Sequence, residues 1–180
     1  MARKNLALLP AFDRYSKTVN IVIEVSKGAR VKLKYDESSE LFRAEKALPV
    51  GVAFPFDFGF IPSTIGGDGD PLDALVLSDA GLPWGTVVLG RVLGILKCEQ
   101  TEKRRRARND RVIAVPLDAK SGEPFQPAVV LDSRLKTAIV GFFTKYNELQ
   151  EKKFRVIGFE GPVGALATIR QAIAAAKGKE

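Results

Sequence analysis

The sequence predicts an α+β protein, mainly β: a small barrel of five or more strands with two helices of the C-terminal half packed outside it. Three observations carry this. Short runs rich in β-branched residues recur through residue 117, separated by turn residues. After residue 131 the apolar spacing changes to the helical period in two segments. No regular strand–helix–strand alternation occurs, which argues against a doubly wound sheet.

The elements follow in order. VNIVIEV (19–25) is a β-branched strand interrupted by Glu24. RVKLKY (30–35) alternates strictly, with Val31, Leu33 and Tyr35 on one face and Arg30, Lys32 and Lys34 on the other. DESSE reads as a turn or hairpin loop. VAFPFDFGFIP (52–62) is aromatic and extended, broken by Pro55 and Gly59. A short apolar strand, ALVL, follows an acidic stretch. GTVVLGRVLGILKCEQ (85–100) reads as one long strand, with Gly90 and Gly94 as bends or bulges of a curving barrel. A basic loop leads to the strand RVIAVPL (111–117), and 118–131 is turn-rich. In DSRLKTAIVGFFTKYNELQEKK, Leu135, Ile139, Phe142, Phe143 and Tyr146 share a helical face, with Asp132 or Ser133 as cap. FRVIGF is a last strand. PVGALATIRQAIAAAK is a final helix, with Pro162 in its first turn.

The 180 residues, 46% hydrophobic, suit one domain over 1–180, with an N-terminal extension (1–18) and an inserted basic loop (98–110). No apolar run approaches the ~20 residues a membrane helix needs, and no secretory signal is evident. The single Cys98 is compatible with a reducing compartment, and the expectation is cytoplasmic. The chain has no histidine. That excludes Ser-His-Asp and Cys-His catalysis and leaves only oxygen-rich metal sites, suited to hard cations. The net charge is +7, but five of those charges lie in KRRRAR (103–108), so 7 − 5 leaves +2 for the rest. The body is not basic enough to indicate a general nucleic-acid binder.

GGDGDPLDALVL (66–77) sets Asp68, Asp70 and Asp73 within six positions. A Gly/Asp/Pro cluster before a strand is by default a turn. In an extended segment, however, Asp68 and Asp70 share a side, and Pro71 would turn Asp73 back toward them. Three converging carboxylates repel one another unless a cation intervenes. An EF-hand fails, because its glycine and glutamate positions hold Asp73 and Asp79. Magnesium takes few carboxylates and usually a phosphate ligand. The strand-borne Lys32, Lys34, Lys46 and Arg111 and the later Lys153 offer partners for such a phosphate.

DGDPLDALVL resembles the acidic signature of the family I soluble inorganic pyrophosphatases. FPFDFGFIPST, RVLGILKCEQ…NDRVIAVP and FFTKYNEL resemble its flanking segments, in the same order over roughly residues 20 to 160. The resemblance implies an OB-like five-stranded barrel that hydrolyses pyrophosphate with Mg2+, Mn2+ being an alternative. It implies Asp70 as the acceptor of the water proton and Asp68, Asp73, Asp110 and Glu24 as metal ligands. Lys32, Lys46, Arg111 and Tyr146 fall where the family contacts phosphate. It also implies a homo-oligomer, commonly a hexamer.

Departures from the family pattern are concentrated around these positions. Lys34 stands where a glutamate is usual, Phe58 where a tyrosine is usual, and Asn147 where a lysine is usual. Lys46 and Arg111 exchange arginine and lysine relative to the pattern, which changes hydrogen-bond geometry. In the 98–110 loop either Asn109 or Asp110 takes one ligand position, Asp110 being preferred as a carboxylate, and the other is Glu99 or Glu102 or is lost. The basic run leaves open a longer polyphosphate or nucleotide phosphoanhydride as substrate. A non-catalytic nucleic-acid module is disfavoured: Phe54, Phe56, Phe58 and Phe60 read as core and pocket wall, and the acidic cluster repels a phosphate backbone.

Overall fold

The computed structural model describes residues 5–13, 18–126 and 129–178. Its elements are β1 (Val19–Val25), β2 (Val31–Asp36), β3 (Leu41–Ala47), β4 (Asp57–Ile61), β5 (Leu72–Val76), β6 (Val87–Glu102), β7 (Arg105–Arg108), β8 (Arg111–Leu117), α1 (Ser133–Glu148), β9 (Lys153–Glu160) and α2 (Pro162–Lys177). Five strands close a ring in the order β1–β4–β5–β8–β6 and back to β1. Only β5 and β8 pair in parallel within it. This is the OB-like barrel expected from the sequence. β7 and β9 extend the sheet from β6, and β2–β3 form a separate hairpin.

β6 takes part in four pairings because it is long enough to bend. Its register against β8 shifts between Val92 and Gly94, one of the two glycines expected to mark a bend. A Cβ at Gly94 would lie 2.6 Å from the Glu160 carbonyl of β9, so a side chain there would push the two strands apart.

Strand alternation divides most of the core between two clusters, beside a smaller third one of Ala7, Val22, Tyr35 and Phe60. Ile21, Ile23, Ala74, Val76, Val112 and Ala114 pack with Ala165 and Ile169 of α2. Leu75, Ile113, Val115 and Leu96 pack with Ile139, Phe143 and Tyr146 of α1. β8 is therefore buried along its whole length, which explains its continuous apolar run. Asp132 caps α1 by accepting from the Leu135 amide at 2.8 Å, as its sequence position suggested. Pro162 opens α2. Each fully buried aliphatic or aromatic side chain of these faces contributes about 1.5–3 kcal/mol. Among the described residues no helix is long and apolar enough to cross a membrane.

Three expectations change. The 98–110 segment is not a loop: β6 runs on to Glu102, turns at Lys103–Arg104 and returns as β7, with Glu99 paired to Arg108. Alternation of apolar residues fades there because both faces are largely solvated, so the hairpin left no period-2 signal. The extended stretch at 52–62 contracts to β4, beginning only after Pro55. The N-terminal segment is not a free extension over residues 5–13. Ala7 and Ala11 are buried, the Ser63 amide donates to the Ala7 carbonyl, and the Leu6 amide donates to the Tyr35 hydroxyl. Residues 1–4 and 14–17 of that segment, and 127–128 of the turn-rich stretch, lie outside the described residues.

Candidate active site

A cavity of about 1170 Å3 opens between the β2–β3 hairpin, the acidic segment, the β6–β7 hairpin and α1. Its lining includes Glu24, Lys32, Asp68, Asp70, Asp73, Arg111 and Tyr146. Seven of the nine predicted site residues thus meet in one place, although they span 123 positions of the chain (24 to 146).

The acidic segment forms a tight turn rather than an extended run. The Gly66 amide donates to the Asp70 carbonyl at 2.7 Å, and Gly69 sits at φ +96° between the two aspartates. Only glycine holds that backbone region cheaply. Asp68 accepts the Asp70 amide on Oδ1 at 3.2 Å, and Asp73 lies beyond the turn on β5. Crowding and burial show in the charges. Burial pushes the Asp73 carboxyl up to about 6, against the pull of Arg111 and Lys32. Burial likewise pushes Glu24 up to about 7, although it accepts the Tyr35 amide at 2.7 Å. Asp68 is raised by the same cause.

The opposite wall is cationic. Arg111 is 2% exposed, and its guanidinium carbon lies 4.2 Å from the centre of the Phe143 ring. Nη1 donates to the Asn109 carbonyl at 2.9 Å, while Nε, 3.7 Å from Asp73 Oδ2, has no hydrogen-bond partner among the described residues. The Tyr146 hydroxyl is likewise buried without a partner among the described residues. Burial opposes the Lys32 ammonium, but Tyr146, a 2.7 Å contact with Glu45 and the Asp73 charge outweigh it and push its pKa up to about 12. Lys32 is therefore a cation at any physiological pH. Phe54, Phe58 and Phe60 line the cavity as buried wall, Phe58 6.2 Å from Phe143 and Phe60 5.9 Å from Tyr35 by ring centres.

Two predicted residues are not brought into the cavity. Asp110 turns to the other side of its strand entry. Arg108 donates to both its oxygens at 2.8 and 2.9 Å, the Cys98 amide donates at 3.0 Å, and Lys97 at 3.3 Å. It reaches the acidic segment only across a crevice of about 10 Å3, space for one water at most. Asn109, the alternative at that ligand position, is the one of the two that lines the cavity. Lys46 pairs across the hairpin with Lys32 but does not line the cavity: the register shifts after Lys32, and Glu45, the extra residue of β3, takes the place beside the Lys32 ammonium. Of the two acids considered for the second position, Glu102 lines the cavity and Glu99 does not. The intervening Gln100 does, although the sequence offered no reason to single out an uncharged residue.

The site offers oxygen donors of the kind a hard divalent cation takes: Asp68, Asp73 and Glu24, all partly desolvated, and the more exposed Asp70, already paired with Lys34. The donor chemistry of the acidic side suits such an ion, although among the described residues no three of these side chains are grouped closely enough to hold one as they stand. The facing edge does not suit it, because it presents the Asn109 and Gln100 amides and the Lys34 ammonium.

Fold and cavity together define an OB-like barrel protein with carboxylates and cations gathered at one mouth. The inorganic pyrophosphatase family profile matches residues 21–177. An inorganic pyrophosphatase of Thermus thermophilus is 36% identical over 177 residues, covering 97% of this chain and 99% of that protein. One from Gluconobacter oxydans is 36% identical over 163 residues, covering 88% and 91%. Among solved structures, the Thermus thermophilus enzyme superposes with a TM-score of 0.80 at 33% identity, covering 97% of this chain and 99% of that one. A Neisseria gonorrhoeae inorganic pyrophosphatase gives 0.81 at 26% identity, covering 96% and 98%. The chain belongs to the inorganic pyrophosphatase family, whose members are metal-dependent hydrolases.

Proposed function

We propose that this protein hydrolyses inorganic pyrophosphate to two phosphates with Mg2+, or Mn2+ in its place. The observation that supports this most is the meeting, in one cavity, of partly desolvated carboxylates with two buried donors, Arg111 Nε and the Tyr146 hydroxyl, that have no hydrogen-bond partner among the described residues. Asp68, Asp73 and Glu24 would hold the cation. When bound, it would screen the phosphate charge and acidify a water molecule.

The chain's own residues do the rest. Asp70 is the most exposed of the three aspartates beside the cavity, and its Oδ1 accepts the proton of the attacking water while Oδ2 stays with Lys34. Arg111 Nε and the Tyr146 hydroxyl donate to the oxygens of the departing phosphate. Because both are fixed by packing, little reorganisation accompanies the build-up of charge. Lys32 adds a permanent positive charge beside Asp73. No covalent enzyme intermediate is needed, which suits a chain without histidine and with its one thiol buried and pushed up to about 11.

The reading extends to a cytoplasmic location and a homo-oligomer, a hexamer by family resemblance. Sedimentation of the purified protein tests the assembly. Phosphate release from pyrophosphate with Mg2+ and with Mn2+, beside Asp70→Asn, tests the activity: metal-dependent release that collapses in the variant is expected. Absence of release from the folded, metal-supplied protein would overturn it.

One observation favours a second reading, a longer phosphoanhydride. Lys103 and Arg105 of the β6–β7 hairpin line the cavity and form no ion pair among the described residues. The hairpin turn holds Lys103 and Arg104 at φ +44° and +68°. Such turns favour Asn-Gly, and each left-handed non-glycine residue costs roughly 1–3 kcal/mol. A turn kept with two cations in that conformation is suited to grip the distal phosphate of tripolyphosphate or a nucleotide. Comparing pyrophosphate, tripolyphosphate and a nucleoside triphosphate as substrates separates the readings.

A further inference from the structure

Behind the acidic turn runs a chain of side-chain amides whose direction is fixed at both ends. Asn147, fully buried on α1, donates through Nδ2 to the Phe143 carbonyl at 2.8 Å. A carbonyl can only accept, so Asn147 must present Oδ1 to its next neighbour. Gln100 on β6 donates Nε2 to that oxygen at 2.8 Å and is left to offer Oε1. Asn109 donates Nδ2 to Gln100 Oε1 at 3.0 Å. The second hydrogen of the same NH2 goes to Asp68 Oδ2 at 2.9 Å. An ionised carboxylate also only accepts, so the orientation set at Phe143 and that required at Asp68 agree. Beside it, the Lys34 ammonium donates to Asp70 Oδ2 at 2.8 Å.

Asp68 therefore has a protein donor on each oxygen, the Asp70 amide on Oδ1 and Asn109 on Oδ2, and Asp70 has Lys34 on Oδ2. A divalent cation that used those oxygens would have to displace an amide hydrogen from Asp68 and an ammonium from Asp70. We infer that the Asn147–Gln100–Asn109 relay and Lys34 stand in place of a divalent cation at the Asp68–Asp70 turn, holding both carboxylates aimed without one. Asn109, Gln100, Asn147 and Lys34 are then positioning residues for the acidic turn; Asp68 could join the cation only by giving up the Asn109 amide, and Asp73 and Glu24 are the carboxylates left to hold it. The two donors differ in strength. The Asn109 bond is partly buried at the end of an ordered chain, whereas the Lys34–Asp70 pair is 42% and 59% exposed and solvent-screened.

This rests on the divalent-cation reading of the cavity, not on pyrophosphate as substrate, and Mn2+ is its probe. Metal-free full-length protein is titrated with Mn2+, free ion being read by electron paramagnetic resonance, with thermal unfolding as the check on folding. Removing a competing donor must tighten binding: about tenfold for Asn109→Ala and about threefold for Lys34→Gln, against little change for Lys152→Gln, a cavity lysine paired with Glu102 instead. Unchanged or weaker Mn2+ binding in Asn109→Ala would overturn the inference, since it would make the Asn109 amide a ligand or a bystander. Lys34→Gln changes a half-exposed residue and keeps the test decisive if Asn109→Ala fails to fold: equal tightening with Lys152→Gln would reduce its effect to general charge and also overturn the inference. No Mn2+ binding by the unsubstituted protein or any variant would instead sink the cation reading itself.

Discussion

Asp73 and Asp110 are nearly neighbours, since Asp73 pairs in register with Arg111, yet their surroundings are opposite. Asp110 is enclosed by Arg108, Lys97 and a backbone amide, which satisfy both its oxygens. Asp73 lies in a partly desolvated cavity with an arginine nitrogen no closer than 3.7 Å, and its carboxyl is pushed up to about 6. One aspartate is neutralised by the fold and holds strands together. The other is left short of positive charge, where an external cation and anion can be held. Residue type is the same in both, so the difference lies in which donors the fold brings within reach.

The largest effect should come from the cavity side. Asp70→Asn should lower metal-dependent phosphate release about 10²- to 10⁴-fold, the range for losing a positioned proton acceptor. Its melting temperature should barely move, because the exposed Lys34 pair contributes little. The converse holds for Asp110→Ala. It strands Lys97 and Arg108 and should lower stability by about 2–4 kcal/mol in denaturant titration, with phosphate release kept within a few-fold. A loss of activity without a loss of stability there would erase the contrast and restore Asp110 as a ligand.

Acidity sharpens the comparison. The folded-state pKa of Glu24, about 7, lies above its ordinary value of 4.5, so the folded protein holds a proton that the unfolded chain releases. Its contribution to stability is therefore full below about pH 4.5 and lost as pH rises through 7. In metal-free protein, Glu24→Gln keeps an acceptor for the Tyr35 amide and should stabilise by about 1–3 kcal/mol at pH 8 but not at pH 4.5. Thermal unfolding at the two pH values checks this, and added Mg2+ should shrink the gain by neutralising the native carboxylate. The smallest effect belongs to the rim. Arg105→Ala should leave pyrophosphate turnover unchanged and raise KM for tripolyphosphate about two- to fivefold, as expected for a screened surface charge.

Much of the fold was legible. β1, β6 and β8 follow from β-branched runs, α1 from its apolar face and Asp132 cap, and α2 from Pro162. These signals are local, set by side-chain period and backbone chemistry. The β6–β7 hairpin was not legible, because a largely solvated strand with three arginines in four residues has no apolar face to reveal it.

The sequence by itself determined the class of chemistry. Without histidine, and with three aspartates in six positions, the cavity had to be built on oxygen donors and fixed cations. Only the tertiary structure decided which of them face one another. It turned Asp110 into a structural ion cluster and Lys46 away from the cavity, and it linked Asn147, Gln100 and Asn109 into a line ending on Asp68. The physical reason is that hydrogen bonds and charge pairs act within a few ångströms. Partners far apart in the chain acquire those distances only when the barrel closes and α1 packs against it.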